Sequence, residues 1–137
     1  MSPVIDQTVQ AGLITAEAQV LDVPAVLRYR RDDPLAIRIC FPPRASLAGS
    51  HVTWVFARDL LAAGLESPTG EGDVHVRPFG ADVTVMEFHA AVGTAMVRIK
   101  TADLRRFLQR SYLVVPAGSE HLQLDLDGDL AALLREA

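Results

Sequence analysis

The feature that most constrains the fold of this chain is an alternation of apolar and polar residues with a period of two. In residues 35–41, for example, leucine, isoleucine and phenylalanine alternate with alanine, arginine and cysteine. Successive side chains of a β-strand point to opposite faces of a sheet, so this pattern predicts strands that bury one face. About seven segments show the pattern: residues 14–20, 25–30, 35–41, 52–56, 74–77, 83–90 and 93–100.

The breaks between these segments contain residues that favour turns. Asp22-Val23-Pro24, Asp32-Asp33-Pro34 and Pro42-Pro43 interrupt or end the first strands, because proline fixes φ and lacks a backbone donor. Segments rich in polar and turn residues are predicted to be loops or turns: residues 44–50, 67–73 and 78–81.

Apolar residues recur at helical spacing in the remaining segments. Residues 57–64 predict a short helix, with Gly64 as the left-handed residue that commonly closes a helix. A longer helix is predicted to begin at a Thr101 N-cap and to stop before Pro116. A final helix is predicted after an Asp127 cap. The apolar stripe of the longer helix consists of Leu104, Phe107, Leu108 and Tyr112.

Together these elements predict a single α+β domain over residues 1–137, with antiparallel sheets of about seven strands and two to three helices. Runs of strands that are separated from the helices favour antiparallel pairing over a parallel βαβ fold. The strand over residues 83–90 has valines on one face and Met86 and Phe88 on the other. We therefore expect both of its faces to be covered, by a second layer or by a neighbouring subunit.

Composition favours a cytoplasmic protein. The 137 residues are 50% hydrophobic, which suits one compact core. No stretch approaches the ~20 consecutive apolar residues of a membrane helix, so insertion into a membrane is not expected. Residues 1–6 show neither a basic region nor the start of an apolar signal core. Cys40 is the only cysteine and has no internal partner for a disulfide, which indicates a reducing compartment.

The sequence contains only incomplete versions of known catalytic and metal-binding motifs. Glu87 and His89 are two apart on a predicted strand and share a face, as two ligands of one metal would, but no third ligand is evident. Asp125, Asp127 and Asp129 do not match a calcium loop, because the glycine comes too early and the bidentate glutamate is missing. Residues 70–73 are glycine-rich but precede a strand rather than a helix. The sequence predicts no enzyme, no metal and no cofactor.

Arginines on neighbouring predicted strands suggest an alternative function, the binding of single-stranded nucleic acid. Arg28, Arg30 and Arg38 are expected on one face of the sheet, near Tyr29 and Trp54. The two aromatic residues, however, share the alternation of the core residues, so they belong to the opposite face. A formal net charge of −4 also argues against a surface that attracts phosphates. A solvated face balanced by nearby aspartates is the favoured interpretation.

Three stretches of the chain contain motifs that can be compared with known families. The first contains Pro24-Ala-Val-Leu-Arg-Tyr29 and Asp33-Pro34-Leu-Ala-Ile-Arg38. The second contains Trp54-Val-Phe-Ala-Arg-Asp-Leu-Leu61 and Gly70-Glu-Gly-Asp-Val74. The third contains Leu104-Arg-Arg-Phe-Leu-Gln-Arg-Ser-Tyr112 and the residues that follow it as far as Asp127. In these stretches the chain resembles the SsgA-like family of sporulation and cell-division proteins from actinomycetes. It departs from the family pattern at Leu35, where an aromatic residue is common, and at Arg30-Arg31.

This resemblance implies a function that composition does not show. It implies a non-enzymatic regulator of septum placement that helps to localise or recruit the tubulin-like division protein FtsZ through protein–protein contacts. It further implies a whirly-like fold, a homotrimer and a location at the cell septum.

Arginines beside apolar helices are the residues that we expect to contact partners. Arg58, Arg105 and Arg106 are predicted to lie at the surface of the two main helices, and exposed arginines in such positions often form interfaces. No position-specific motif supports the choice of these three residues.

Overall fold

The structure is a computed structural model, and it describes residues 4–15, 17–43, 51–91 and 93–122. The predicted loop over residues 44–50 and the final helix after Asp127 lie outside the described residues. The aspartates at 125, 127 and 129 also lie outside them.

The described residues form one antiparallel sheet of eight strands with two main helices. The strands are β1 (Val4–Ile14), β2 (Val20–Arg30), β3 (Asp33–Phe41), β4 (Val52–Ala57), β5 (Thr69–Glu71), β6 (Val74–Phe79), β7 (Val83–Ala90) and β8 (Gly93–Lys100), and the helices are α1 (Arg58–Gly64) and α2 (Thr101–Val114). The order of the strands across the sheet is β4-β3-β2-β1-β8-β7-β6-β5. The predicted α+β class with antiparallel pairing is confirmed.

The sheet curls so that distant strands face each other across the core. Trp54 on β4 and Phe88 on β7 place their ring centroids 5.2 Å apart, although four strands separate β4 from β7 in the sheet. Phe41 on β3 also contacts Phe88, edge to face, at 5.8 Å. The buried face of α2 adds Leu104, Phe107 and Leu108 to the same core cluster. The alternation along each strand therefore buries one face of a curled sheet against itself and against the helices.

The N-terminal strand is central to the sheet, and the alternation of apolar residues did not predict it. β1 pairs with β2 along its whole length, but with β8 only from Ala11 to Ile14. Its first half lies beside α2, where the Gln7 side-chain amide donates a hydrogen bond to the Asp103 carbonyl oxygen at 2.9 Å.

The strand predicted over residues 14–20 is wrong. Ile14 ends β1, and the Thr15 N–H donates to the Gln19 carbonyl oxygen at 2.8 Å across a turn in which Ala18 has a φ of 61°. Ala18 and Val20 are exposed, so the alternation at these two residues does not mark a buried face.

Two predicted interruptions are strands in the structure. β2 runs continuously through Pro24, where the sequence suggested a break. Pairing of β2 with β3 begins only at Val26, so Pro24 lies where β2 has a single neighbour, a position that tolerates a missing donor. Residues 67–73 are not all loop, because β5 pairs with β6 through a two-residue turn that starts at Gly72 with a φ of 60°. A glycine at the first position of such a hairpin turn relieves the steric cost of positive φ.

Two predictions about helix ends are wrong. Gly64 is not left-handed; a Cβ added there would overlap the Val76 side chain, so the glycine permits close packing of α1 against β6. Thr101 is the first residue of α2 rather than its cap, and its hydroxyl lies 2.8 Å from the Thr84 hydroxyl on β7.

The expectation that β7 is covered on both faces is confirmed only at Val85, because Glu87 and His89 on the outer face are partly exposed. Met86 and Phe88 lie in the main core, and Val85 on the other face is only 1% exposed within the single chain. Its cross-strand neighbours are Arg77 and Arg98. Burial of Val85 therefore requires no neighbouring subunit, and the apolar pattern of β7 is not evidence for an oligomer.

Candidate interaction surfaces

Arg58, which the sequence placed at the surface, is buried. It is the first residue of α1 and is 1% exposed, so the prediction of an exposed arginine is wrong. Helix α1 packs against the sheet with Leu60 and Leu61, and this packing turns Arg58 toward the end of α2. The sequence spacing identified the helix correctly but could not show which side of its first turn faces α2.

The guanidinium group of Arg58 binds the chain where it leaves α2. Nη1 donates to the Val115 carbonyl oxygen at 2.8 Å and to the Ser111 carbonyl oxygen at 3.3 Å. Nη2 donates to Glu120 Oε1 at 2.6 Å. The guanidinium carbon also lies 4.8 Å from the ring centroid of Tyr29 and 4.7 Å from that of Tyr112, within the range of cation–π contacts. We call Arg58 and these five neighbouring residues the arginine cluster.

Two ionisable groups of the arginine cluster have shifted pKa values. The hydrogen bond from Arg58 lowers the pKa of Glu120, so this carboxylate stays charged beside the guanidinium. Burial raises the pKa of Tyr29 to about 12, and its hydroxyl donates to the Pro34 carbonyl oxygen at 2.8 Å. The cluster is thus a largely buried network that joins α1, β2 and the segment after α2. Both Nη atoms of Arg58 have partners, whereas its buried Nε has none among the described residues.

Arg105 and Arg106 are exposed on α2, as predicted. Arg105 Nη1 lies 3.2 Å from Glu66 Oε1, just beyond the end of α1. A shallow groove of about 220 Å³ runs between the two helices, and its apolar lining includes Leu65, Leu108 and Tyr112. Farther along α2, Leu113 is 87% exposed. We call this surface, formed by the groove together with Arg105, Arg106 and Leu113, the helical surface.

The arginines on the outer face of the strands are balanced by carboxylates. Arg28 forms a two-point ion pair with Asp6, with one distance of 2.7 Å, and this pairing lowers the pKa of Asp6. Arg38 binds Asp33 at 2.8 Å. Arg30 pairs with Asp32 in the same way. Tyr29 is buried on the opposite face, as the alternation predicted. Paired arginines have less net charge to offer a phosphate backbone, which weakens the nucleic-acid alternative.

Glu87 and His89 do share a face of β7, and the structure brings two more polar side chains to them. Arg77 on β6 forms an ion pair with Glu87. His75, the cross-strand neighbour of Glu87, places its ring centroid 4.8 Å from that of His89. The sequence contained no signal for this neighbour, because it depends on the register between β6 and β7. In the part of the chain that the structure describes, no group of three or more His, Cys, Asp and Glu side chains is placed to hold a metal ion.

Neither main helix resembles a membrane span. Among the described residues, no helix combines the length and the apolar character that crossing a bilayer requires.

Comparison with known proteins identifies the family. A sequence model of the family described as "Streptomyces sporulation and cell division protein, SsgA" matches residues 23–120. The sporulation-specific cell division protein SsgB of Streptomyces coelicolor is 38% identical over 140 residues, which cover 100% of both chains. The protein of the same name from Kineococcus radiotolerans is 39% identical over 135 residues, which cover 95% of this chain and 79% of the relative.

Solved structures agree with this assignment. An SsgA-like sporulation-specific cell division protein from Thermobifida fusca superposes with a TM-score of 0.85 at 34% identity, covering 96% of both chains. A second solved structure, described as "Mutations in SsgB correlate to longitudinal cell division during sporulation of Streptomyces coelicolor", superposes with a TM-score of 0.79 at 36% identity, covering 90% of this chain and 97% of that one. The fold is therefore that of a family of sporulation and cell-division proteins, and this chain belongs to the SsgA family.

Proposed function

We propose that this chain regulates sporulation-specific cell division through protein–protein contacts, and that it helps to localise or recruit FtsZ to septum sites. Membership of the SsgA family carries the proposal, since relatives that match over nearly the whole chain are named sporulation-specific cell division proteins. The regulator acts without catalysis or cofactor, in the cytoplasm at the septum. The domain that does so spans residues 1–137 as one unit.

The helical surface is the proposed contact site for the division partner. Arg105 lines the groove, and Arg106 is exposed at the next position of α2. The exposed Leu113 side chain adds apolar surface. Interfaces combine arginine with apolar anchors in this way. Arg58 is buried in the arginine cluster, so its proposed role changes from a direct contact to the positioning of α1 and the end of α2.

Co-sedimentation with polymerised FtsZ tests the proposal, and a pair of matched double variants tests the site. Arg105→Gln with Arg106→Gln removes two positive charges from the helical surface. Arg28→Gln with Arg38→Gln removes the same charge from the outer face of the strands. We expect the first variant to co-sediment at least about tenfold less than the second, in line with hot-spot losses at interfaces.

Fluorescent fusions in sporulating cells give the second readout. Septal signal for the wild-type protein and the strand variant, with diffuse signal for the helix variant, supports both the function and the site. If wild-type protein neither co-sediments with FtsZ nor localises to septa, recruitment of FtsZ is rejected. If the two double variants co-sediment and localise equally, the helical surface is rejected as the contact site, but recruitment of FtsZ is not.

We also propose that the chain works as a homotrimer, as the family resemblance implies. Sedimentation equilibrium at several protein concentrations measures this directly, and a mass of one chain at every concentration contradicts it.

A further inference from the structure

Two histidines meet on the outer face of the sheet, away from the helical surface. His75 lies on β6 and His89 on β7, and the register places His75 opposite Glu87, two residues from His89. The imidazole centroids are 4.8 Å apart, with an angle of 56° between the ring planes. His75 is exposed and the His89 side chain is 41% exposed, so water and ions reach both rings.

Each nitrogen of the His89 ring has a polar side chain nearby. Its Nδ1 lies 3.2 Å from the Thr94 hydroxyl oxygen on β8, and its Nε2 lies 3.9 Å from Glu87 Oε1. When Nδ1–H donates to Thr94, the Nε2 lone pair is free. This arrangement is the one in which histidine binds metals in proteins, where the second ring nitrogen donates to an oxygen that fixes the tautomer.

The His75 ring lies against Gly70 on β5 and beside a shallow groove. A Cβ added at Gly70 on β5 would overlap the imidazole, so the glycine permits the observed position of the ring. The groove, of about 200 Å³, is lined by Gly70 and His75 themselves and by Arg77 and Glu87 among others. Glu87 forms an ion pair with Arg77, so this carboxylate is not counted as a third ligand.

We propose that His75 and His89 together bind one divalent transition-metal ion through their imidazoles, with water at the remaining coordination positions. Imidazole nitrogens favour Zn²⁺, Ni²⁺ and Cu²⁺, whereas Mg²⁺ and Ca²⁺ favour oxygen ligands. The ion connects β6 to β7 and therefore binds the folded chain in preference to the unfolded chain. The site is independent of the proposed division function, because it shares no residue with the helical surface.

Isothermal titration calorimetry tests the proposal. Untagged, metal-free full-length protein is titrated with ZnCl₂ and, separately, with NiCl₂. We expect one ion per chain. His75→Ala and His89→Ala each weaken binding by at least about tenfold. His51→Ala and His121→Ala are the matched controls, since each removes an exposed histidine outside the pair and leaves the affinity unchanged. Absence of binding to wild-type protein, or equal losses in all four variants, overturns the proposal.

A fifth variant separates ligand geometry from histidine content. Gly70→Ala keeps both histidines but displaces the His75 ring. We expect weaker metal binding with a native circular dichroism spectrum. Wild-type affinity in this variant contradicts the geometry.

The dependence of affinity on pH distinguishes imidazole ligands from carboxylates. Protons compete with the metal ion for the imidazole nitrogens, so the affinity should fall steeply as the pH is lowered from about 7 to about 5. An affinity that is constant between about pH 5 and pH 6 shows carboxylate binding and overturns the proposal.

Discussion

Two arginine–glutamate pairs connect the helices of this protein in the same manner, but they differ in their exposure to water. Arg58 on α1 reaches Glu120 beyond the end of α2, and Arg105 on α2 reaches Glu66 beyond the end of α1. The side chains of the first pair are 1% and 10% exposed, whereas those of the second are 51% and 70% exposed. Each pair thus joins one helix to the segment that follows the other.

The difference in burial determines what each pair can do. A buried guanidinium must keep its partners, since loss of one partner leaves an uncompensated charge away from water. An exposed pair is screened by water and salt, and each member can exchange its partner at low cost. The arginine cluster is therefore suited to holding the fold together, while the helical surface is suited to contact with another protein.

Replacement of Arg58 is expected to have the largest effect. Arg58→Ala leaves the Glu120 carboxylate and the Val115 carbonyl oxygen without their donor. We expect the free energy of unfolding to decrease by about 3–5 kcal/mol, measured by urea denaturation. Arg58→Lys keeps the charge but not the planar fork, and should lie between Ala and wild type. If Arg58→Ala lowers the free energy of unfolding by less than about 1 kcal/mol, the Arg58–Glu120 pair contributes no more than an exposed ion pair does.

Replacement of Glu120 isolates the contribution of its charge. Glu120→Gln keeps the shape of the side chain but leaves the buried guanidinium without a counter-charge, and we expect a loss of about 2 kcal/mol near neutral pH. Arg58 lowers the pKa of Glu120 in the folded state. The contribution of Glu120 is therefore present above its unfolded pKa and is lost as the pH falls through the lower folded value. Urea denaturation of both proteins between about pH 7 and pH 3 should show the difference shrinking with acidity; a constant difference would contradict it.

Replacement of Tyr29 tests the burial of the arginine cluster at alkaline pH. Burial raises its folded pKa to about 12 from the ordinary value of 10.0. The stability that depends on its protonated hydroxyl is thus complete below about pH 10 and is lost as the pH rises toward 12. We expect wild-type protein to lose on the order of 1–2 kcal/mol more than Tyr29→Phe over this range. Absorbance titration of the phenols provides an independent check, because an early-titrating Tyr29 would show that the cluster is open to water.

The exposed pair should show the smallest effect. Arg105→Ala, Glu66→Ala and the double variant form a mutant cycle, for which we expect a coupling energy of no more than about 0.5 kcal/mol. That coupling should vanish at high salt. A coupling that is large and independent of salt would remove the distinction between the two regions.

Local patterns predicted most of this fold and little of its candidate sites. Alternation identified β3, β4, β7 and β8, because each buries one face or both against the core. It missed β1. One of the polar residues of this strand, Gln7, donates a hydrogen bond to α2, and the alternation of apolar residues does not report such a contact. The buried position of Arg58 and the contact between His75 and His89 join residues that are far apart in the chain. No spacing rule on a single element reports such contacts.

The sequence by itself determined the class of the fold, the ends of most strands, the apolar stripe of α2 and, through its motifs, the SsgA family. These properties depend on residues within one element or on stretches that can be compared directly. Only the tertiary structure decided that Arg58 is buried, that the strand arginines are neutralised and that two histidines meet on the outer face. Each of these depends on register and curvature, which bring together side chains from separate elements and set how much water remains between them.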